Sequence, residues 1–386
     1  MDSGHAPATL RPAPLRRRVQ SLLAQADVRL DGPRPWDLQV RRPRFFTRVL
    51  AQGSLGLGEG YMDGDWDSAD LDGLLTRLLD ARLDRRIGGI AATLDGARAR
   101  LQNLQTRARS REVGRRHYDL GEDLYAAMLG PEMIYSCGYW RGADGAVAPD
   151  LASAQRAKLD LVFRKLGLRP GQRVLDIGCG WGGALRQAAE DYRVAGVGVT
   201  ISGHQARHAQ AACAGLPVEI RLQDYRDLRE RFDHVFSIGM FEHVGLRNYR
   251  RYFDTVRRCL APDGLTLLHT IGSNVSVRAT DPWIGRYIFP NSMLPSAAQI
   301  TQAFEGLFVM EDWHGFGPDY DRTLQAWRAN IERAWPSLPA RYDERFRRMW
   351  RFYLAASMAV FRTRQAQLWQ LVLSPEGVPG GYAAVR

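Results

Sequence analysis

The segment Val174–Gly183 (VLDIGCGWGG) carries the strongest chemical signal in the chain. An apolar run ends in an acid, Asp176, and leads through Gly178, Gly180, Gly182 and Gly183 into a turn that opens a helix. Glycines at the carboxyl end of a strand let a nucleotide-like ligand approach the backbone where side chains would collide. A dinucleotide site is usually built on GxGxxG. The spacing here is GxGxGG with an acid two residues ahead of the first glycine, which fits the nucleoside and amino acid of S-adenosylmethionine better than a pyrophosphate. An NAD site and a purely structural turn are the competing readings.

Two later segments continue the pattern. TISGHQ, Thr200 to Gln205, follows the next strand-like run, where many such methyltransferases carry an acid for the ribose hydroxyls. This chain has none there; Thr200, Ser202 and Gln205 offer hydrogen bonds instead, although Ser202 also reads as a helix N-cap. LQDYRDL then places Asp224 at a strand end, where it would accept from the adenine amine.

The elements that must hold these residues are legible from about Arg173. Strand-like runs occur at 173–177, 194–200, 218–222, 234–238, 265–271, 308–316 and 367–373, with helical patterns at 183–191, 202–214, 247–260, 297–306 and 321–333. Seven strands with intervening helices predict a doubly wound, mostly parallel Rossmann-like sheet of the α/β class.

Before this lies a smaller, mainly helical region. Residues 1–14, rich in Pro and Ala, read as a flexible tail. Leu15, Val19, Leu22, Leu23 and Ala26 recur at helical spacing beside Arg16, Arg17 and Arg18, and the pattern returns over 74–104, with a break expected at Gly88 and Gly89. GSLGLGEGYMDGDWD, residues 53–67, reads as a turn-rich connection. Such basic amphipathic helices suit either a small bundle with solvated arginines or a lipid-docking domain. The expected division is a tail at 1–14, an N-terminal lipid-binding domain at 15–108 and a catalytic domain at 109–386.

Composition narrows the partner. With 45% apolar and 10% aromatic residues the chain can bury a sizeable core. No run of about 18 apolar residues spans a bilayer and no secretory signal opens the chain, so a cytoplasmic location is expected. Cys137, Cys179, Cys213 and Cys259 form no CxxC pair, so neither disulfides nor a metal site is expected. The formal charge of +11 favours a polyanion, either nucleic acid or an anionic leaflet. No base-flipping or strand-stacking module is evident, which leaves the leaflet.

With these residues in view, the chain closely resembles the cyclopropane-fatty-acyl-phospholipid synthases, relatives of the mycolic acid cyclopropane synthases. The likeness is carried by HYDLGEDLY (117–125), YSCGYW (135–140), the glycine turn, GMFEHVG (239–245), LLHTIG (267–272), DPWIGRYIFPN (281–291), EDWHGFGPDYDRTLQAW (311–327) and QLWQ (367–370), in that order. GSLGLGEGYMDGDW resembles the extra lipid-binding domain of the phospholipid enzymes.

The resemblance implies a class I S-adenosylmethionine methyltransferase. The cofactor would be held by Tyr135, Ser136, the turn residues Leu175, Asp176, Gly178, Cys179, Gly180, Trp181, Gly182 and Gly183, then Thr200, Ser202, Gln205, Asp224 and Tyr225. It implies a bicarbonate ion at Cys137, Glu242, His269, Ile271 and Tyr320. It implies a peripheral homodimer that sets a cyclopropane ring across the cis double bond of an unsaturated phospholipid, or, in the alternative, an acyl C-methyltransferase giving a methyl-branched or methylene product. His117 and Asp119 read as scaffold or cofactor-lid residues. Outside the family context, His269 would be a core histidine, Glu242 a helix-start acid and Cys137 a packing thiol.

Overall fold

The computed structural model describes residues 12–86, 121–142, 145–277 and 279–386. The chain divides into two compact units, one of Met1–Asp95, Asp281–Trp283 and Ala340–Thr363, the other of Gly96–Thr280, Ile284–Pro339 and Arg364–Arg386.

The first unit is mainly helical: Pro12–Ala24, Arg44–Gln52, Ser54–Met62, Leu71–Asp80, Leu83–Arg86 and Glu344–Arg362, with a two-residue antiparallel pair, β1 (Gln39–Val40) and β2 (Trp66–Asp67). Its first helix starts at Pro12, where the ring's fixed φ suits a helix opening. Three residues expected in the tail are thus helical, and the rest of the tail lies outside the described residues. Val19 and Leu23 of this helix, and Ala26 just after it, are buried while Arg16, Arg17 and Arg18 are exposed. The second helical stretch breaks at Arg82, which adopts φ 55, ahead of the expected Gly88 and Gly89, which lie outside the described residues.

The expected turn at 53–67 is instead a helix over Ser54–Met62. Its glycines serve close packing. A Cβ on Gly56 would lie 2.3 Å from the Arg48 carbonyl oxygen, and one on Gly58 would lie 2.4 Å from the Trp283 indole. Trp66, fully buried, donates from Nε1 to the Leu57 carbonyl at 2.9 Å, and Arg48 bonds Glu59, Asp63 and Asp65. The 19-residue helix Glu344–Arg362 is not among the helices expected from the sequence; most of its arginines crowd the first two turns and leave few polar residues after Arg351 to mark its solvent side.

The second unit is the expected α/β fold. Its strands β3 (Arg173–Ile177), β4 (Ala195–Thr200), β5 (Val218–Leu222), β6 (His234–Ile238), β7 (Thr266–Ser273), β8 (Val309–Gly315) and β9 (Ala366–Ser374) form one sheet in the order β5-β4-β3-β6-β7-β9-β8. The first five are parallel; β9 runs antiparallel between β7 and β8. Strand residues alternate between two cores. Leu175, Ile177, Val235 and Leu268 join one with Phe241, Tyr252 and Phe253; Val174, Phe236, Leu267 and Val372 join the other with Leu159, Phe163 and Leu185. Each such buried aliphatic contributes about 1.5–3 kcal/mol. Chain direction on the two sides of β3 diverges, towards β4 and towards β6, and in such sheets ligands bind in the crevice at the carboxyl ends of those strands.

The site's strand, β7, is packed without slack at Gly272, where a Cβ would lie 2.0 Å from the Trp369 ring. Gly272→Ala is expected to cost about 1–3 kcal/mol by overpacking. The measurement is the urea midpoint, which should fall at constant slope; an unchanged midpoint would mean that the Trp369 ring moves freely.

Candidate active site

The glycine turn leaves β3 at the crevice. Gly178, Gly180 and Gly182 adopt φ of 89°, 52° and 87°, a region costly for residues with a Cβ. A Cβ on Gly178 would also lie 2.6 Å from Met240 Cγ, in the loop after β6. The turn is tied to β4 by the amides of Gly178 and Cys179, both donating to the Val199 carbonyl. Gly183 then opens the helix Gly183–Tyr192. Asp176, buried at the end of β3, has Oδ1 without a partner, and burial pushes its pKa up to about 8 against the pull of Lys158.

After β4, Ser202 caps the helix Gly203–Ala212 by accepting from Gln205 N at 3.3 Å, while Thr200 Oγ1 donates to Gln205 Oε1 at 3.0 Å. These expected cofactor residues therefore also hold one another. After β5, Asp224 takes Arg226 on both oxygens, at 2.8 and 2.5 Å, so a nucleobase would share that carboxylate with Arg226. Tyr225 packs edge-on against Tyr252.

Tyr135 stands at the centre of a chain of rings that joins the turn to the far helix. Trp181 lies 5.1 Å from Tyr125, Tyr125 5.4 Å from Tyr135, Tyr135 5.2 Å from Trp327, and Trp327 6.0 Å from Tyr320. Tyr320, Thr323 and Trp327 are buried residues of the helix Pro318–Ala334, spaced for one face. Thr323 Oγ1 accepts from Gly138 N at 3.1 Å and Trp140 Nε1 at 3.0 Å, and lies 3.9 Å from Cys137 Sγ. That single hydroxyl fixes the YSCGYW loop. Burial, then Asp319, keeps the Cys137 thiol protonated well above its ordinary range.

Glu242 bonds β7 directly at Ile271. His269 and Ile271 point to the same side of β7. Glu242 Oε1 accepts from Ile271 N at 2.6 Å, and its Oε2 is buried without a partner. Burial is the main force that raises the Glu242 carboxyl to about 7. His269, 1% exposed, receives Gln370 Nε2 on Nδ1 at 3.3 Å, while its Nε2 is buried and unpartnered. Burial, then Lys158 and Lys165, holds the imidazole neutral far below its usual pKa. Where the Gln370 amide donates to Nδ1, the ring proton sits on Nε2. Phe316 packs edge-on against this histidine at 5.8 Å, and Tyr139 packs edge-on against Phe316 at 5.2 Å.

Glu242 bonds the Ile271 amide, with His269 on the same side of β7; Cys137 lies beside Thr323; and Tyr320 belongs to the ring chain through Trp327 and Tyr135. His117 and Asp119 lie outside the described residues. Sequence reading missed Lys158, Gln155, Thr323 and Gln370, all buried. One signal was available: of 53 basic residues only Lys158 and Lys165 are lysines, and both are buried. Among the described residues no three His, Cys, Asp or Glu side chains converge as a metal site.

Comparison with known proteins matches residues 105–371 to the family model described as mycolic acid cyclopropane synthetase. The chain is 52% identical over 371 residues, 96% of each chain, to the cyclopropane-fatty-acyl-phospholipid synthase of Escherichia coli strain K12. It is 34% identical over 394 residues to the tuberculostearic acid methyltransferase UfaA1 of Mycobacterium tuberculosis, covering 95% of this chain and 91% of that one. Among solved structures, mycolic acid cyclopropane synthase CmaA1 complexed with SAH and CTAB is similar at a TM-score of 0.61 and 29% identity, covering 70% of this chain and 99% of that one.

Glu242 also makes a prediction about stability. Its carboxyl is harder to ionise folded than unfolded, so its contribution is full below about pH 4.5 and declines as pH rises to about 7. Glu242→Gln is expected to remove that part of the decline, on the order of 3 kcal/mol. Urea midpoints of both proteins at the two pH values test this; an identical pH drop in the two would show that Glu242 ionises as easily folded as unfolded.

Proposed function

The chain belongs to the mycolic acid cyclopropane synthetase family and is an S-adenosylmethionine-dependent enzyme that transfers a methylene group to unsaturated acyl chains; we propose that its acceptor is the cis double bond of a membrane phospholipid and its product a cyclopropane ring. The observation that carries the reading is the pair of buried, unpartnered polar atoms, Glu242 Oε2 and His269 Nε2, in the site anchored by Ile271. Each is costly to leave unsatisfied in an apolar interior, and a small oxyanion satisfies both.

An alkene is a weak nucleophile, and the methyl of a sulfonium is an electrophile strong enough for it. The π electrons form the new C–C bond as the C–S bond breaks, leaving a carbocation on the chain and the neutral thioether product. One proton of the transferred methyl must then leave so that its C–H pair closes the ring. His269 Nε2–H, Glu242 and Tyr320 would hold a bicarbonate, which would supply the base for that proton. His269 donates because Gln370 occupies Nδ1; Glu242, with a pKa near neutrality, holds or passes on a proton at Oε2. General-base help of this kind is worth about 10²–10⁴-fold. Tyr139, Phe316 and the ring chain around Tyr135 exclude water, which would otherwise capture the cation as an alcohol. Rings of this kind attract a cation by about 0.5–2 kcal/mol each.

The enzyme works from the cytoplasm as a peripheral homodimer on the inner leaflet. The charge of +11 and the exposed Arg16–Arg18 row support an anionic surface, with electrostatic attraction of about 1 kcal/mol per basic residue near it. Because Val19 and Leu23 pack into their own unit, arginine rather than leucine provides the contact of this helix with lipid. A methyl-branched product is the second reading, supported by the 34% identity to UfaA1 against 52% to the Escherichia coli synthase.

Incubation with S-adenosylmethionine and liposomes of a monounsaturated anionic phospholipid, read by lipid mass spectrometry, tests the function. A gain of one CH2 that survives alkene hydrogenation, with ring-type fragmentation, is expected; a branched fragment pattern would transfer the assignment to the second reading. Glu242→Gln and His269→Gln should each lower turnover by at least about 10²-fold while S-adenosylmethionine still binds. Full turnover in either would remove that residue from the proton path.

A further inference from the structure

Lys158 is fully buried on the helix Leu151–Leu166, where an apolar side chain would pack at less cost. Gln155, one turn earlier and also buried, lies on the same face. Both grip Ser136. Gln155 Nε2 donates to the Ser136 carbonyl at 2.7 Å, and Lys158 Nζ donates to its hydroxyl at 2.9 Å. Ser136 lies in the crevice between β3 and β6: a Cβ on Gly239 would lie 3.9 Å from Ser136 Cβ.

Among the described residues the Lys158 amine has no full counter-ion, and burial lowers its pKa to about 7. The titratable groups that face it are the Cys137 thiol in the loop, the Asp176 carboxyl at the end of β3 and the His269 imidazole on β7. Burial holds the thiol and the imidazole neutral and pushes Asp176 up to about 8. A buried amine that ionises near neutral pH among neutral groups is the complement of an anion that arrives with a ligand, which would favour its charged form. The serine supplies the contact. With a lone pair of Oγ taken by Lys158, its O–H proton is free to be given to an acceptor.

We propose that Lys158 is a positioning residue for the methyl donor: by holding Ser136 Oγ it fixes that hydroxyl as the hydrogen-bond donor to the carboxylate of the S-adenosylmethionine amino-acid chain. The inference rests on the reading that this cofactor occupies the glycine turn, and it assigns to one of the chain's two lysines a role in holding its anionic end. The charge acts through the serine, and Gln155 holds the loop in place from the carbonyl side.

Calorimetric titration with two ligands separates this role from simple packing. S-adenosylhomocysteine carries the amino-acid chain; 5′-methylthioadenosine keeps the nucleoside and thioether but lacks the carboxylate. Lys158→Met is expected to weaken S-adenosylhomocysteine by about 10- to 100-fold, the worth of a hydrogen bond to a charged group, with 5′-methylthioadenosine unchanged. Ser136→Ala, which deletes one oxygen and leaves the lysine in place, should show the same selective loss. The double variant should be no weaker than Lys158→Met alone, because the two act in series. Equal weakening of both ligands, unchanged S-adenosylhomocysteine affinity in Ser136→Ala, or additive losses would overturn the proposal. Wild-type protein that binds neither ligand would instead refute the cofactor reading on which it stands.

Discussion

The hydrogen bond from Ile271 N to Glu242 Oε1 answers a deficit that the sheet creates for itself. β6 pairs with β7 only as far as Ile238 opposite His269, and Gly239 N makes the last main-chain bond, to the His269 carbonyl. The chain then turns away. Ile271, two residues further along β7, faces the same side with no strand to accept its amide. A buried orphan amide costs as much as a lost hydrogen bond, so something must cover it. Glu242 does so with one carboxylate oxygen, Pro295 O takes the next amide at Ser273, and Met293 N returns a bond to the Glu242 carbonyl. The carboxyl is thus built into the sheet's edge, and its second oxygen is left at the crevice where ligands of this fold bind.

Desolvation governs the electrostatics that follow. Glu242, His269, Cys137, Asp176 and Lys158 are all buried, and for each the largest influence on protonation is burial. Groups that would be charged in water are driven towards neutrality, so the interior holds polar atoms without strong fixed charges. That suits the proposed chemistry. A carbocation beside a fixed carboxylate would be trapped as an ester, and one beside water as an alcohol; apart from the base that takes its proton, one beside a neutral imidazole, a thiol and aromatic faces meets only weak nucleophiles.

Much of this was readable in the residues. All seven strands fall where the sequence pattern predicts them; the central ones read as near-continuous apolar segments because both faces are buried, while the edge strands β5 and β8 are mostly unburied. The glycine turn was equally plain, since positive φ at Gly178, Gly180 and Gly182 leaves few alternatives to glycine. Two features were hidden for physical reasons. Ser54–Met62 reads as a turn because glycine signals both a turn and a close approach, and only the Arg48 carbonyl and the Trp283 indole reveal the second meaning. Glu344–Arg362 has most of its arginines concentrated in the first two turns, so its apolar second half reads without a clear period. The catalytic candidates Glu242 and His269 were found through family motifs. Single-residue reasoning alone would have left both as ordinary core residues, because what marks them, an unpartnered oxygen and an unpartnered nitrogen, is a property of three-dimensional packing.

The residues that reading missed share a character. Lys158, Gln155, Thr323 and Gln370 each hold another site residue: Ser136, Ser136, the Cys137–Trp140 loop and His269. Three of the four present neutral polar groups, the chemistry that a dry site tolerates in its supports. The fourth, Lys158, is the exception, and the exception has a physical sense. A neutral support positions an atom. A support that retains access to a charge also biases which ligand the atom receives, and here the bias is towards the anionic end of a zwitterion. The demand for dryness at the reacting carbons and for charge recognition at the cofactor's amino acid is then met by separating the two along one loop. Ser136 faces the cation, and Cys137, the next residue, presents a thiol that burial keeps neutral.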